Sequence, residues 1–184
     1  VSKLAGDNFY LMTAYFYYLD ALTGRYGKFS KEAINHCLYL IKEIIKVSKK
    51  FPKQSLFMIM GDHGHTSLKK NVILDHDVMQ DIFFQTGSEM ALDGRMIMFY
   101  SGNLKLTKKL FEEKYGKYIK EVVKKDYLGL LGGACNPEIE KRIGDLIYTA
   151  RPHYTLRTKP KISKATHGGI SRQEFETVLI CWKN

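Results

Sequence analysis

The sequence contains no run of about 18 or more apolar residues, so no transmembrane helix is expected. Cysteine is scarce: Cys37, Cys135 and Cys181 are widely spaced, and no C-x-x-C pair occurs. An odd, scattered set argues against a disulfide framework and fits free thiols in a reducing compartment, so a cytoplasmic location is expected. Cys37 and Cys181 lie in apolar runs and read as core residues. The start, Val1 to Asp7, lacks the basic-then-apolar layout of a secretory leader and has no initiator methionine, so residues upstream are expected. The glycine-rich stretch Leu128 to Cys135 is not followed by Gly-Lys-Ser/Thr and is therefore not a phosphate loop. Acids are outnumbered, 19 against 29 lysines and arginines, leaving a formal charge of +10 that favours anionic partners. Nucleic acid is one such partner class. The lysines, among them Lys46, Lys49, Lys50, Lys53, Lys69 and Lys70, are nevertheless scattered, as solvated surface lysines are.

What is present fits one ordinary domain: 184 residues, 45% of them hydrophobic. The aromatic run Ala14 to Leu19, ending at Asp20, reads as a buried strand. After the loop Thr23 to Phe29, Ser30 reads as an N-cap, with Glu32 suiting the first turn of a helix. Ile34, Cys37, Leu38, Ile41, Ile44 and Ile45 recur at helical spacing, and Pro52 closes the segment. Leu56 to Met60 then reads as a strand. Strand, helix, strand over this distance predicts a parallel βαβ unit. Asp20 and Asp62 would then stand at the carboxyl ends of neighbouring strands, where open α/β sheets bind ligands. Further along, Asp75 to Phe84 and Leu106 to Tyr115 read as helices. Arg95 to Tyr100, Leu146 to Ala150 and Phe175 to Trp182 read as strands.

The chemistry concentrates in Gly61-Asp62-His63-Gly64-His65-Thr66, where an apolar strand ends in an acid, two imidazoles and two glycines. Carboxylate and imidazole are donors for a divalent metal. Adjacent Asp62 and His63 can share an ion only at a turn, which the glycines permit. A turn or cap role is the alternative for Asp62. His65 reads as a neighbour of such a site or a substrate contact. His167 precedes Gly168 and Gly169 in a second loop. His36, His76 and His153 have no supporting pattern.

The order strand-Asp20, helix, strand-Gly61-Asp62-His63-Gly64-His65, a long insertion, then His167-Gly168-Gly169-Ile170-Ser171 with Glu174 resembles the alkaline phosphatase superfamily. It is most similar to the branch of nucleotide pyrophosphatases and type I phosphodiesterases. Arg142 to Asp145 and the tail Ser171 to Ile180 also look like that branch. The resemblance covers roughly the whole chain, but only the C-terminal half of the family's catalytic domain, with an insertion at about residues 69–161. It implies an α/β fold with a mostly parallel sheet flanked by helices, incomplete at its N-terminal side. The open sheet edge this leaves is a place for association with another chain.

The resemblance further implies two divalent metal ions, usually zinc and sometimes manganese. Asp62 and His63 match the ligands of one ion, Asp20 and His167 those of the other. The activity implied is hydrolysis of phosphate esters, phosphodiester or nucleotide pyrophosphate bonds, by in-line phosphoryl transfer. A phosphate-ester small molecule or nucleotide is the implied partner, with no membrane. Two positions depart from the pattern. The family carries a histidine four residues after the Asp20 position, where this chain has Gly24, which implies a weakened Asp20/His167 site. The family's nucleophile has no counterpart here: Thr23, Thr66 and Thr166 lie near the motifs but do not match it, and Asp7 does not replace the missing acid. An inactive relative serving as a binding or structural module is the alternative reading, and a basic polyanion-binding domain is a third.

Overall fold

The structure is a computed structural model and describes residues 10–100, 102–132 and 136–184. Asp7 and Cys135 lie outside the described residues. Along the chain come α1 (Tyr18–Tyr26), α2 (Lys31–Ser48), β1 (Leu56–Met60), β2 (Thr66–Ser67), β3 (Lys70–Ile73) and α3 (His76–Thr86). Next are β4 (Glu89–Asp93), β5 (Met96–Tyr100), α4 (Leu104–Tyr115), β6 (Ile119–Val122), α5 (Lys124–Leu130) and α6 (Pro137–Arg142). The chain ends with β7 (Leu146–Ala150), β8 (Tyr154–Arg157), β9 (Ala165–Thr166), α7 (Arg172–Phe175) and β10 (Leu179–Lys183). It divides into two compact units. One comprises Val1–Ser67, Ser163–Ala165 and Arg172–Asn184, the other Leu68–Ile162 and Thr166–Ser171.

In the first unit, Ser30 caps α2: its Oγ accepts from the Ala33 amide at 3.2 Å, satisfying a donor that the first turn leaves open. β1 pairs with β10 in antiparallel register, Leu56 opposite Lys183 and Met60 opposite Leu179. One face of this ribbon carries Phe57 stacked on Trp182 at 5.2 Å, and the Trp182 indole donates to Ser48 Oγ at the end of α2. The other face, Leu56, Met58, Met60, Leu179 and Cys181, is exposed.

Three expectations are corrected here. Residues Ala14 to Leu19 form no strand; α1 begins at Tyr18 and carries Asp20 in its first turn. A short apolar run cannot by itself separate strand from helix, and here Tyr15, Tyr17 and Tyr18 are exposed rather than buried. An acid in a first turn also suits the helix dipole. The parallel βαβ pair is consequently absent: among the described residues β1 pairs only with β10, and Asp20 stands on a helix rather than at a strand end. Cys181 is exposed because it shares a face with Met58, directly opposite it.

The second unit holds the dense core. Its sheet runs β4-β5-β7-β6, antiparallel throughout, and β3 pairs with β8 in parallel. Ile97 and Phe99 of β5, Phe111 of α4, Tyr148 of β7 and Leu156 of β8 are almost completely buried together. Phe99 and Phe111 meet edge to face at 4.8 Å, a favoured aromatic geometry. The α/β class is as expected, although most described strand pairs are antiparallel rather than parallel.

Candidate metal centre

β1 delivers the Asp62–His65 loop, and α7 fixes it. The Gly61 amide donates to Val178 O at 3.1 Å and the Gly64 amide to Glu174 O at 2.9 Å. The need for glycine is close approach, not a left-handed backbone: neither residue has a positive φ. A Cβ at Gly61 would run into the Thr177 side chain, and one at Gly64 into the carbonyl oxygens of Gln173 and Glu176. The loop is thus pinned to a segment more than a hundred residues later in sequence.

His63 is prepared as a donor. Its Nδ1 lies 3.1 Å from Gly64 O; a proton held there places the ring's lone pair on Nε2, the arrangement metal-ligating histidines use. Asp62 Oδ1 accepts from the His63 amide at 3.1 Å and lies 3.8 Å from His63 Nε2. Asp20 comes from α1, and its Oδ1 is 2.7 Å from His65 Nε2. The His63 and His65 rings are 5.2 Å apart. Asp20 and His63 offer ligand atoms within 4.8 Å of each other. Carboxylates and imidazoles at this spacing form a donor set that fits a zinc-like ion.

The structure therefore gathers Asp20, Asp62, His63 and His65 around one loop and one helix turn. His167 belongs to the second unit, where its carbonyl lies against the β4–β5 turn: a Cβ at Gly94 would collide with it. Thr23 is buried, and its hydroxyl donates to Leu19 O at 2.8 Å, a structural role. Thr66 and Thr166 are buried as well. The Asp20–His65 contact was not legible in the sequence, because α1 and the loop approach each other only through the fold. Also unforeseen is a cleft in the second unit lined by Leu92, Leu156, Arg157, Lys159 and Lys161. Partial burial there lowers the Arg157 guanidinium from its usual value, and Asn71 Oδ1 accepts from its Nε at 3.1 Å.

No protein-family model matches the chain, and no curated protein matches its sequence. Among solved structures it is similar to murine ectonucleotide pyrophosphatase/phosphodiesterase 5, an inactive form in complex with AMP, at 14% identity and TM-score 0.56; the match covers 88% of this chain and 44% of that one. The human protein of the same name matches at 16% identity and TM-score 0.55, with the same coverage. Phosphonoacetate hydrolase from Sinorhizobium meliloti, in complex with phosphonoacetate, matches at 15% identity and TM-score 0.61, covering 88% of this chain and 43% of that one. The chain shares the α/β fold of these structures and spans less than half the length of each. Among the described residues no helix is long and apolar enough to cross a membrane.

Proposed function

We propose that this chain is the metal-holding part of a phosphoesterase that cleaves phosphodiester or nucleotide pyrophosphate bonds. The observation that carries the reading is the carboxylate–imidazole group at Asp20 and His63, borne on a fold whose similar solved structures include a nucleotide pyrophosphatase/phosphodiesterase and a phosphonate hydrolase. In this reading Asp62 and His63 hold one divalent ion and Asp20 and His167 a second, zinc or manganese. Bound ions supply Lewis acidity toward phosphoryl oxygens and a lowered pKa for a nucleophile. The chain's own part is to hold carboxylates and imidazoles in place: Gly64 O orients His63, and the pinned loop fixes Asp62 beside it. Arg157, Lys159 and Lys161, with a net charge of +10, favour an anionic phosphate ester over a neutral substrate. In this reading none of Thr23, Thr66 and Thr166 is assigned as the nucleophile.

A second reading, an inactive module of the same ancestry, is favoured by Gly24, which offers no side-chain ligand at the position where the family carries histidine. Zinc titration followed by hydrolysis of a nitrophenyl phosphodiester tests both. Zinc binding with turnover supports the enzyme, and binding without turnover supports the module. No zinc binding at micromolar concentrations would overturn the metal-centre proposal.

A further inference from the structure

We propose that His65 is a metal ligand that replaces the imidazole missing at Gly24. The inference rests on the metal-centre reading above and assigns that site a donor outside the family pattern. Asp20 and Gly24 are one turn apart on α1, so a side chain at position 24 would share the face of Asp20. There is space for one: a Cβ at Gly24 would meet only Ala165 O, at an ordinary 3.7 Å. That face has lost its own imidazole, but another reaches the same carboxylate from the Asp62–His65 loop. His65 Nε2 stands 2.7 Å from Asp20 Oδ1, and the His65 side chain is only 13% exposed.

The geometry suits shared coordination. Two ligand atoms on a tetrahedral zinc, each about 2.0–2.2 Å from it, stand about 3.3–3.6 Å apart. Reaching that separation from 2.7 Å takes an opening of about 0.6–0.9 Å, within side-chain adjustment. His63, two residues earlier on the same loop, already brings its ring to 5.2 Å from that of His65. Asp20, His63 and His65 then converge from one helix turn and one short loop. When His65 Nε2 turns its lone pair toward an ion, its proton moves to Nδ1 or to solvent, so charge and protons balance without another reactant.

The competing role is a hydrogen bond that merely orients Asp20. His65→Gln separates the two, because glutamine keeps an N–H donor near the Nε2 position but offers zinc a poor ligand. The experiment measures zinc affinity of the chain by chelator competition for wild type, His65→Gln and the double variant Gly24→His/His65→Gln. The expected result is a loss of more than about 100-fold in His65→Gln, beyond the roughly 10- to 100-fold typical of losing an outer partner, with recovery in the double variant. Wild-type affinity in His65→Gln overturns the inference and leaves the metal centre standing; failure of the wild type to bind zinc overturns the metal centre itself. A second readout needs no substitution. In imidazole nitrogen NMR of the wild type, zinc moves the His65 Nε2 resonance to a metal-bound position, whereas retention of its Nε2 proton at saturation refutes ligation.

Discussion

Replacing Gly64 with alanine tests how the candidate site is built. The new Cβ would stand 2.9 Å from Glu176 O and closer still to Gln173 O, where ordinary contact begins at about 3.4 Å. Both obstacles are backbone, so neither can swing aside, and restoring ordinary contact with Gln173 O takes a retreat of about an ångström or more. Overpacking of this kind costs about 1–3 kcal/mol. Stretching the Gly64 N–H to Glu174 O bond, now 2.9 Å, adds about 0.5–1.5 kcal/mol. The expected destabilisation is therefore about 1.5–4.5 kcal/mol by urea denaturation, accompanied by weaker zinc binding, because the displaced loop carries His63 and His65. Gly129→Ala is the control: it lies in α5 with nothing within 4 Å of a new Cβ, and should stabilise by about 0.4–1 kcal/mol. If Gly64→Ala lies within about 0.5 kcal/mol of wild type, the close-approach account of this loop is refuted.

Asp62→Asn and His167→Ala should each lower zinc stoichiometry or affinity in equilibrium dialysis, with little change in the metal-free melting curve; unchanged binding in both would remove them from the ligand set. Removing zinc with a chelator should cost about 2.7 kcal/mol of stability when the free ion had stood at about 100 times its dissociation constant; equal stability with and without zinc contradicts native-state binding. Tyr148 gives a pH signature. Burial, helped by the hydrogen bond to Glu112, raises its phenol above the usual value. Because the folded state keeps this proton while the unfolded chain loses it above about pH 10, stability should fall as pH rises above about 10. Tyr148→Phe should flatten that fall in urea titrations, and an unchanged slope would assign the loss to other groups.

The local signals carried much of the architecture. Ser30, with apolar residues at helical spacing behind it, marks α2, and Asp75 caps α3 by accepting from Asp77 and Val78 amides. β1, β5 and β7 follow from short apolar runs of strand length. The run before Asp20 misleads because its aromatic residues have no periodicity that separates strand from helix, and only exposure of Tyr15 and Tyr17 reveals the difference. The Asp62–His63 pair is legible because its parts are adjacent. The approach of His65 to Asp20 is not, since 45 residues separate them and no local rule encodes their meeting. Glycines at 61 and 64 are legible as turn-formers, but their physical reason, the passage of the α7 segment, lies far along the chain.

The pairing of β1 with β10 sets an order of events. During synthesis the chain emerges N-terminus first. Asp62, His63 and His65 are therefore made long before Leu179 to Lys183, the strand that pairs with β1, and before the α7 carbonyls that hold the loop. Met60 waits for Leu179, and Gly64 waits for Glu174. The proposed donors are arrayed only once α7 and β10 have been made, so the strand that pairs with β1 acts as the latch of a site it does not touch chemically.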